Sequence, residues 1–229
     1  YGFQRAPEGA YYTDAETGQR VDCSGQIIVT SDGYPQMDNQ NLIDLGSIYP
    51  DWKGGLNTTL RYKNVRLSMN FTYQYGGNCY SRTHATLASS GKTADTLYGR
   101  YDGLVQEGVQ LAADGTYSKN TTITNSIAAY YSDYYYNAKN AETNTYDTSF
   151  LKLKQVNLDY TLGKKALQKI GWLRSLSVGV FATNLFCITD FPQYDPEAAT
   201  FNAASISRGI ETGAYPMTRT YGVTLKLGF

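Results

Sequence analysis

The chain has 229 residues, with 20 acidic and 20 basic side chains and a formal net charge of zero. This balance argues against a nucleic-acid-binding surface, which needs an excess of basic residues. No apolar run reaches the roughly 18 residues that a transmembrane helix needs, so no such helix is expected, whereas membrane-spanning β-strands are short and only half apolar. Tyrosine and glycine each occur 22 times, which favours an all-β fold.

The first 53 residues are predicted to be mostly loop, because Gly, Asp, Asn, Pro and Ser are frequent there. Only residues 26–30 have the composition of a short strand. Residues 1–7 lack the basic start and apolar core of a signal peptide, so we expect a mature chain or a piece of a longer one. Cys23, Cys79 and Cys187 are widely spaced and belong to no Cys/His cluster, so we expect free thiols and no metal site.

Residues 54–75 have the pattern of a β-hairpin with a tight turn at Lys63-Asn64. Both strands alternate with a period of two, so each has one largely apolar face and one polar face. The first face carries Leu56, Thr58, Leu60, Tyr62, Val65, Leu67, Met69, Phe71, Tyr73 and Tyr75. The second strand is about 11 residues long, which is enough to cross a bilayer when tilted and more than a sandwich strand usually has.

The rest of the chain alternates long polar stretches with strands. Residues 76–147 are predicted to be a long loop and residues 148–162 a strand. The apolar residues of that strand change parity after Leu153, which predicts a β-bulge near Lys154 and Gln155. A connector with one or two helical turns at 164–170 leads to a strand over 175–186. Residues 187–217 are a further loop, and residues 218–229 a terminal strand that ends on an aromatic residue.

Long and short connections alternate strictly in this order, which is typical of an outer-membrane β-barrel with its C-terminus in the periplasm. The regions 1–53, 76–147 and 187–217 would then be extracellular. Aromatic residues at the strand ends are expected at the two membrane interfaces. The outer set is Trp52, Tyr73 and Tyr75, and the periplasmic set is Tyr62, Trp172 and Phe229. Five strands cannot close a membrane barrel, which needs about eight, so we expect the remaining strands in another chain or in an absent N-terminal part.

Several segments, in the same order along the chain, resemble the SusC-like TonB-dependent transporters of Bacteroidota (the SusC/RagA family). Residues 45–55 read LGSIYPDWKGG and residues 62–77 read YKNVRLSMNFTYQYGG. Residues 149–158 read SFLKLKQVNL, and the closing segments are TNLF at 183–186, YDPE at 194–197 and YPMTRTYG at 215–222. The resemblance runs from about residue 45 to the last residue, and the stretches 1–44 and 78–146 match weakly.

This resemblance implies the C-terminal part of a barrel of about 22 strands, plugged by an N-terminal domain that this chain lacks. It implies import of oligosaccharides, or of peptides, across the outer membrane. The partners implied are a SusD-like surface lipoprotein, the missing barrel and plug, membrane lipid, and TonB–ExbB–ExbD acting through the plug. No enzyme activity and no cofactor are implied.

Tyr130, Tyr131, Tyr134, Tyr135 and Tyr136 form an aromatic cluster in the sequence. Aromatic rings stack on sugar rings and on peptide side chains, so this cluster is a hypothetical contact for the substrate or for the SusD-like partner. The alternative is a packed loop or an interfacial belt. The polar faces of the strands are expected to form the wall of the lumen, with Arg61, Arg66, Asn70, Gln74, Asn157 and Asp159.

No catalytic constellation is evident. His84, the only histidine, is predicted to be solvated in a loop. Asp190, Asp195 and Glu197 suggest a calcium site or paired acids, with a loop turn at Asp195-Pro196 as the alternative. Other functions compatible with the strand pattern are a non-transport barrel, such as an adhesin or a hydrolase, and a soluble carbohydrate-binding β-sandwich.

Overall fold

The computed structural model describes residues 1–124, 126–168, 171–193, 195–199 and 209–229. The chain forms two compact units. The loop unit consists of Tyr1–Gly46, Tyr80–Thr145 and Ile210–Gly213. The sheet unit consists of Ser47–Cys79, Tyr146–Gly209 and Ala214–Phe229. None of the helices in the described part of the chain is long and apolar enough to cross a membrane.

The sheet unit is built on five long strands. These are β1 (Trp52–Tyr62), β2 (Val65–Tyr75), β3 (Phe150–Thr161), β4 (Ser175–Ile188) and β5 (Thr220–Gly228). They form one sheet in the order β5-β4-β3-β2-β1, with every neighbouring pair antiparallel. The all-β fold predicted from the sequence is confirmed, and the sheet is open rather than closed into a barrel.

The connections of this sheet are short at one end and long at the other. β1 and β2 are joined by Lys63 and Asn64, with Lys63 in the left-handed conformation at φ 49°. β3 and β4 are joined by a connector that contains the helix Lys164–Leu167, as predicted, although residues 169 and 170 of the predicted turns lie outside the described residues. Long stretches follow β2 and β4, at the opposite end of the sheet.

β3 contains the predicted bulge. Its register with both neighbouring strands shifts between Leu153 and Gln155. Lys154 is the extra residue against β2, whereas Asn184 and Leu185 of β4 face the single residue Lys154 on the other side. The shift has a clear consequence, because side chains alternate between the two faces of a strand. Leu153 lies opposite Phe71 and Val156 lies opposite Met69, so the apolar residues stay on one face on both sides of the bulge.

The loop unit is richer in short elements than the sequence predicted. Its five-stranded sheet has the order Arg20–Asp22, Tyr11–Thr13, Tyr117–Lys119, Val109–Leu111, Ile28–Val29. Other short strands are Gly2–Phe3, Met37–Asp38, Leu104–Val105, Ile123–Thr124 and Ile210–Glu211, with Asn78–Ser81 and Thr145–Asp147 at the boundaries between units. The stretches 1–53 and 76–147, predicted as loop regions, therefore contain short strands that the sequence did not predict, because strands this short show no periodicity.

The loop unit also contains helical segments. The longest is α1 (Arg82–Ser89), and the others are a 3₁₀-helix Ala94–Leu97, a helix Ile127–Ala129 that continues into a π-helix Tyr130–Tyr135, and a helix Ala141–Asn144. In the sheet unit, Pro196–Ala199 is a further helical turn. Ser81 caps α1 by accepting a hydrogen bond from the His84 backbone N–H at 3.1 Å.

His84 corrects one prediction. It lies in α1 rather than in a loop, and the residue is only 3% exposed. The ring packs edge-on against Tyr136, with the ring centroids 5.4 Å apart. The imidazole is therefore a core side chain of the loop unit rather than a solvated one.

Candidate functional site

The first functional feature is the apolar face of the long sheet. The residues Leu60, Leu67, Leu158, Val180 and Val223 lie directly opposite one another and form one row across all five strands. Leu60 is 58% exposed and Val223 is 73% exposed. A monomeric soluble protein rarely exposes an apolar surface of this extent, which marks a face that meets another apolar phase.

The strands have the length that a membrane wall requires. β1 has 11 residues. At about 3.3 Å per residue it is about 36 Å long, and a tilt of about 45° leaves about 25 Å across the bilayer, the height of the apolar band of an outer-membrane barrel. Trp52 lies opposite Tyr75 at one end of β1, and Tyr62 lies opposite Val65 at the other end.

The six aromatic residues predicted for the membrane interfaces are all exposed at ends of the sheet unit. Tyr73 is near the same end as Trp52 and Tyr75, and Trp172 stacks on Phe229 near the end that holds Tyr62. Aromatic residues gather at both interfaces of membrane barrels. This placement is compatible with the predicted interfacial role, which stays a prediction.

The opposite face of the sheet is polar. Asp159 accepts hydrogen bonds from Arg66 Nη2 at 2.9 Å and from Arg66 Nε at 3.2 Å. Arg61 of β1 lies directly opposite Arg66 of β2. Gln74 Nε2 donates to Thr148 Oγ1 at 2.9 Å. Asn70 and Asn157 line a shallow recess on the same face. The residues predicted to form the polar wall therefore do share one face.

The aromatic ring of Phe181 lies on this polar face, and a glycine makes room for it. Phe181 is directly opposite Gly222. A Cβ atom at position 222 would lie 2.4 Å from the Phe181 ring, closer than real Cβ contacts come. The glycine in β5 is thus required by the close approach of the ring, and it is on the face turned away from the apolar row.

An ion-pair network that sequence reasoning missed also lies on the polar face. Lys152 is only 1% exposed and contacts Asp195, and its Nζ is 3.3 Å from Glu197 Oε2. Lys154 Nζ is 2.7 Å from Glu197 Oε1. Burial acts to raise the pKa of the Glu197 carboxyl, but the ammonium groups of Lys154 and Lys152 outweigh it, so this pKa lies below its ordinary value.

This network changes the interpretation of the acidic residues in the last long stretch. Asp195 and Glu197 bind lysine side chains, and Asp190 is exposed and separate. Among the described residues, no group of three or more acidic, histidine or cysteine side chains could hold a metal ion. The two carboxylates serve to fix the Pro196–Ala199 turn against β3.

The second functional feature is the tyrosine cluster. Tyr130, Tyr131 and Tyr136 are buried, and Tyr135 is partly buried against them. Tyr131 and Tyr136 stack with their centroids 5.9 Å apart, and Tyr134 stacks on Tyr34 at 4.4 Å. The structure places the rings mainly against one another. A contact with substrate or partner, predicted for all five, is not tested by this packing and stays a prediction.

Buried hydroxyls fix the geometry of the cluster. The Tyr130 hydroxyl donates to Gln106 Oε1, and the Tyr131 hydroxyl donates to the Tyr98 carbonyl at 3.1 Å. Burial raises the pKa of both phenols, so they remain protonated donors at neutral pH. π-Helical turns such as Tyr130–Tyr135 are rare and frequently lie at functional sites, which directs attention to the surface around them.

A cavity of about 670 Å³ lies beside this π-helix, entirely within the loop unit. Its wall consists of Ser89, Ser90, Gly91, Thr96, Arg100, Ser126, Ile127, Ala128, Tyr131 and Ser132. Five of these ten residues carry hydroxyl groups on aliphatic side chains, and one is a tyrosine. No residue in this wall is acidic.

Sequence comparison relates the chain to TonB-dependent receptors, although no family model matches it. The chain is 26% identical to TonB-dependent receptor P3 of Formosa agariphila (strain DSM 15362), over 97% of this chain and 20% of the relative. It is 23% identical to TonB-dependent receptor P39 of the same strain, over 81% of this chain and 17% of the relative.

Solved structures of the RagAB peptide importer share the fold. The open-open state matches with a TM-score of 0.56 and 19% identity, over 96% of this chain and 22% of the other. The closed-closed state matches with a TM-score of 0.56 and 17% identity, over 97% of this chain and 25% of the other.

The chain spans about a fifth of the length of the curated relatives it matches. Those relatives are named as receptors rather than enzymes, in agreement with the prediction that this chain is not an enzyme. The chain is thus similar in sequence to TonB-dependent receptors and shares its fold with the RagAB importer structures, in agreement with the motifs that resemble the SusC-like transporters.

Proposed function

We propose that this chain forms part of the wall of an outer-membrane transporter that imports oligosaccharides. The observation that carries the proposal is the sheet with two unlike faces. One face presents an uncovered apolar row from Leu60 to Val223, and the other carries the Arg66–Asp159 ion pair. Lipid on the first face and a wet lumen on the second satisfy both sets of side chains.

The two edges of the sheet imply further strands. Among the described residues, β1 and β5 each pair with one long strand only. In lipid an unpaired strand edge costs several kcal/mol for each unsatisfied backbone group, so both edges require neighbours. We infer that the remaining strands of the same transporter supply them, and that TonB–ExbB–ExbD acts through the plug of that transporter.

The connections supply an orientation for the proposal. The turn at Lys63 and Asn64, the connector with Lys164–Leu167 and the end of β5 lie at one end of the sheet. Outer-membrane barrels have their short turns in the periplasm and their long loops outside. We therefore infer that Phe229 is periplasmic and that the stretches 1–53, 76–147 and 187–217 are extracellular, where a SusD-like lipoprotein would bind.

The substrate class is the finer part of the proposal. The cavity beside the π-helix offers hydroxyl groups and a tyrosine, which suit the hydroxyl groups and rings of a sugar. A peptide is the second candidate, because the structural neighbours belong to the RagAB peptide importer.

Uptake by the source bacterium tests both the activity and the substrate. The strain that lacks the full-length receptor is compared with its parent and with a strain that lacks TonB, on defined oligosaccharides and on peptides as carbon sources. We expect growth on an oligosaccharide to be lost in both mutants and the receptor to purify with a lipoprotein in detergent. Release of the receptor into buffer without detergent would contradict the membrane assignment. Loss of growth on peptides, with growth on oligosaccharides unchanged, would show that the substrate is a peptide.

A further inference from the structure

The cavity in the loop unit has one charged side chain in its wall, and that side chain is held in place. Arg100 Nε donates to the Thr96 carbonyl at 2.8 Å, and Arg100 Nη2 donates to the Gly91 carbonyl at 2.6 Å and to Thr96 Oγ1 at 3.0 Å. Gly91 permits this approach, since a Cβ atom there would lie 3.1 Å from Nη2. The guanidinium is thus positioned before any ligand arrives.

These three hydrogen bonds use the N–H groups of Nε and Nη2, so the two N–H groups of Nη1 are left for a ligand. None of the described residues accepts a hydrogen bond from Arg100 Nη1. The cavity wall that contains Arg100 has no acidic side chain. A guanidinium with free donors and no counter-charge beside it attracts an anionic group, and a carboxylate is a favoured partner in proteins.

The remaining wall narrows the kind of molecule that would bring the carboxylate. Ser89 and Ser90 donate their hydroxyl hydrogens to the Thr86 carbonyl, so their oxygen atoms remain as acceptors toward the cavity. Ile127 and Tyr131 add apolar and aromatic surface. A ligand that satisfies all of these groups carries a carboxylate, several hydroxyl donors and an apolar ring face.

We propose that this cavity binds a uronic acid residue of an acidic oligosaccharide, with the carboxylate on Arg100 Nη1. The inference rests on the proposed function and deepens it, because it names the substrate class that the transporter selects. The loop that carries Arg100 has the rigidity such a site needs, with the Tyr131 hydroxyl bound to the carbonyls of Asp95 and Tyr98.

Calorimetric titration of the purified full-length receptor in detergent tests this assignment. The probes are tetragalacturonate, its uncharged methyl ester, a neutral glucose tetramer and a tetrapeptide. We expect tetragalacturonate to bind about tenfold more tightly than its ester, which is the effect of one charge-assisted hydrogen-bonded contact.

Three variants distinguish the effect of the Arg100 charge from the effect of the cavity volume. Arg100→Gln is expected to weaken tetragalacturonate binding about tenfold and to change ester binding less than about twofold. Ala128→Trp fills the cavity without removing Arg100 and is expected to weaken binding of both. Arg82→Gln is the matched control, since Arg82 is an exposed arginine of α1 that does not line this cavity.

The outcomes distinguish failure of the inference from failure of the proposed function. Equal affinities for the acid and its ester, or unchanged binding in both cavity variants, would overturn the inference while an oligosaccharide transporter stands. A receptor that binds the tetrapeptide and none of the saccharides would overturn both the uronate site and the proposed substrate.

Discussion

The rings of Trp172 and Phe229 stack with their centroids 5.5 Å apart and their planes 13° from parallel. Trp172 precedes β4, and Phe229 follows the last residue of β5, so the pair lies at one end of the sheet. Both rings are largely exposed in this chain. In the proposed orientation the pair lies at the periplasmic interface, where aromatic rings are favoured.

Deletion of Phe229 is predicted to reduce the amount of receptor assembled in the outer membrane several-fold. The deletion removes the ring that stacks on Trp172 and the aromatic end of the terminal strand. Surface labelling of intact cells, compared with total receptor on immunoblots, measures the effect. Tyr101→Ala, at a fully exposed loop position, is the control, and a normal surface level for the deletion would show that the terminal aromatic residue is dispensable.

A charge on the apolar face is predicted to be far more damaging than the same charge on the polar face. Val223 and Thr224 are neighbours in β5 with side chains on opposite faces. Val223→Arg should cost about 2–4 kcal/mol of membrane stability at mid-bilayer depth, and Thr224→Arg should cost little. Unfolding by guanidinium in lipid vesicles measures both, and equal destabilisation would argue against lipid on the Val223 face.

Loss of the buried lysine is predicted to destabilise the sheet unit more than loss of its neighbour. Lys152→Ala leaves the Asp195 carboxylate buried without its cation, at a cost of about 3–5 kcal/mol in the free energy of unfolding. Lys154 is 39% exposed, so Lys154→Ala should cost less than about 1 kcal/mol.

Denaturant titration of the two lysine variants supplies this comparison. A Lys152→Met, Asp195→Leu double variant should recover part of the loss, because it removes both charges together. If Lys152→Ala unfolds at the same denaturant concentration as Lys154→Ala, the buried ion pair has no role in stability.

The local stability of α1 is predicted to fall in mild acid. Burial lowers the pKa of His84 below its ordinary value of about 6.5, and the Asp95 carboxylate opposes this only in part. The folded state therefore holds the neutral ring, and below pH of about 6.5 the unfolded chain binds the proton more readily. The stabilising contribution is present above that pH and is lost as pH falls toward the folded pKa.

Hydrogen exchange of the Arg82–Ser89 amides, corrected for the intrinsic effect of pH, measures this loss. In His84→Gln the dependence on pH between about 7 and 5 should flatten, because the titrating group is gone. The same slope in the variant and in the wild type would assign the effect to another group.

Local patterns in the sequence were sufficient to predict the five long strands. Alternation over about ten residues identified each of them, and the parity change after Leu153 identified the bulge at Lys154. The boundaries shifted by about two residues, since β1 begins at Trp52 and β4 extends to Ile188. These features depend on neighbouring residues alone, which is why one sequence reveals them.

The features that the sequence did not reveal depend on contacts between distant residues. The Lys152–Asp195 pair joins positions 43 residues apart, and the Tyr34–Tyr134 stack joins two separate segments. His84 was assigned to a solvated loop because the helix and the ring that bury it leave no periodic pattern. Arg100 carries no sequence signal, and its role emerges only from the cavity that the fold places beside it.

The most direct test of the central claim asks which phase each face of β5 meets. Spin labels are attached at Val223→Cys and at Thr224→Cys in the full-length receptor in liposomes, after the native cysteines have been replaced. Relaxation by lipid-soluble oxygen and by a water-soluble nickel chelate reports the surroundings of each label. We predict that oxygen dominates at position 223 and nickel at position 224, whereas equal access of the nickel chelate to both positions would contradict a membrane wall.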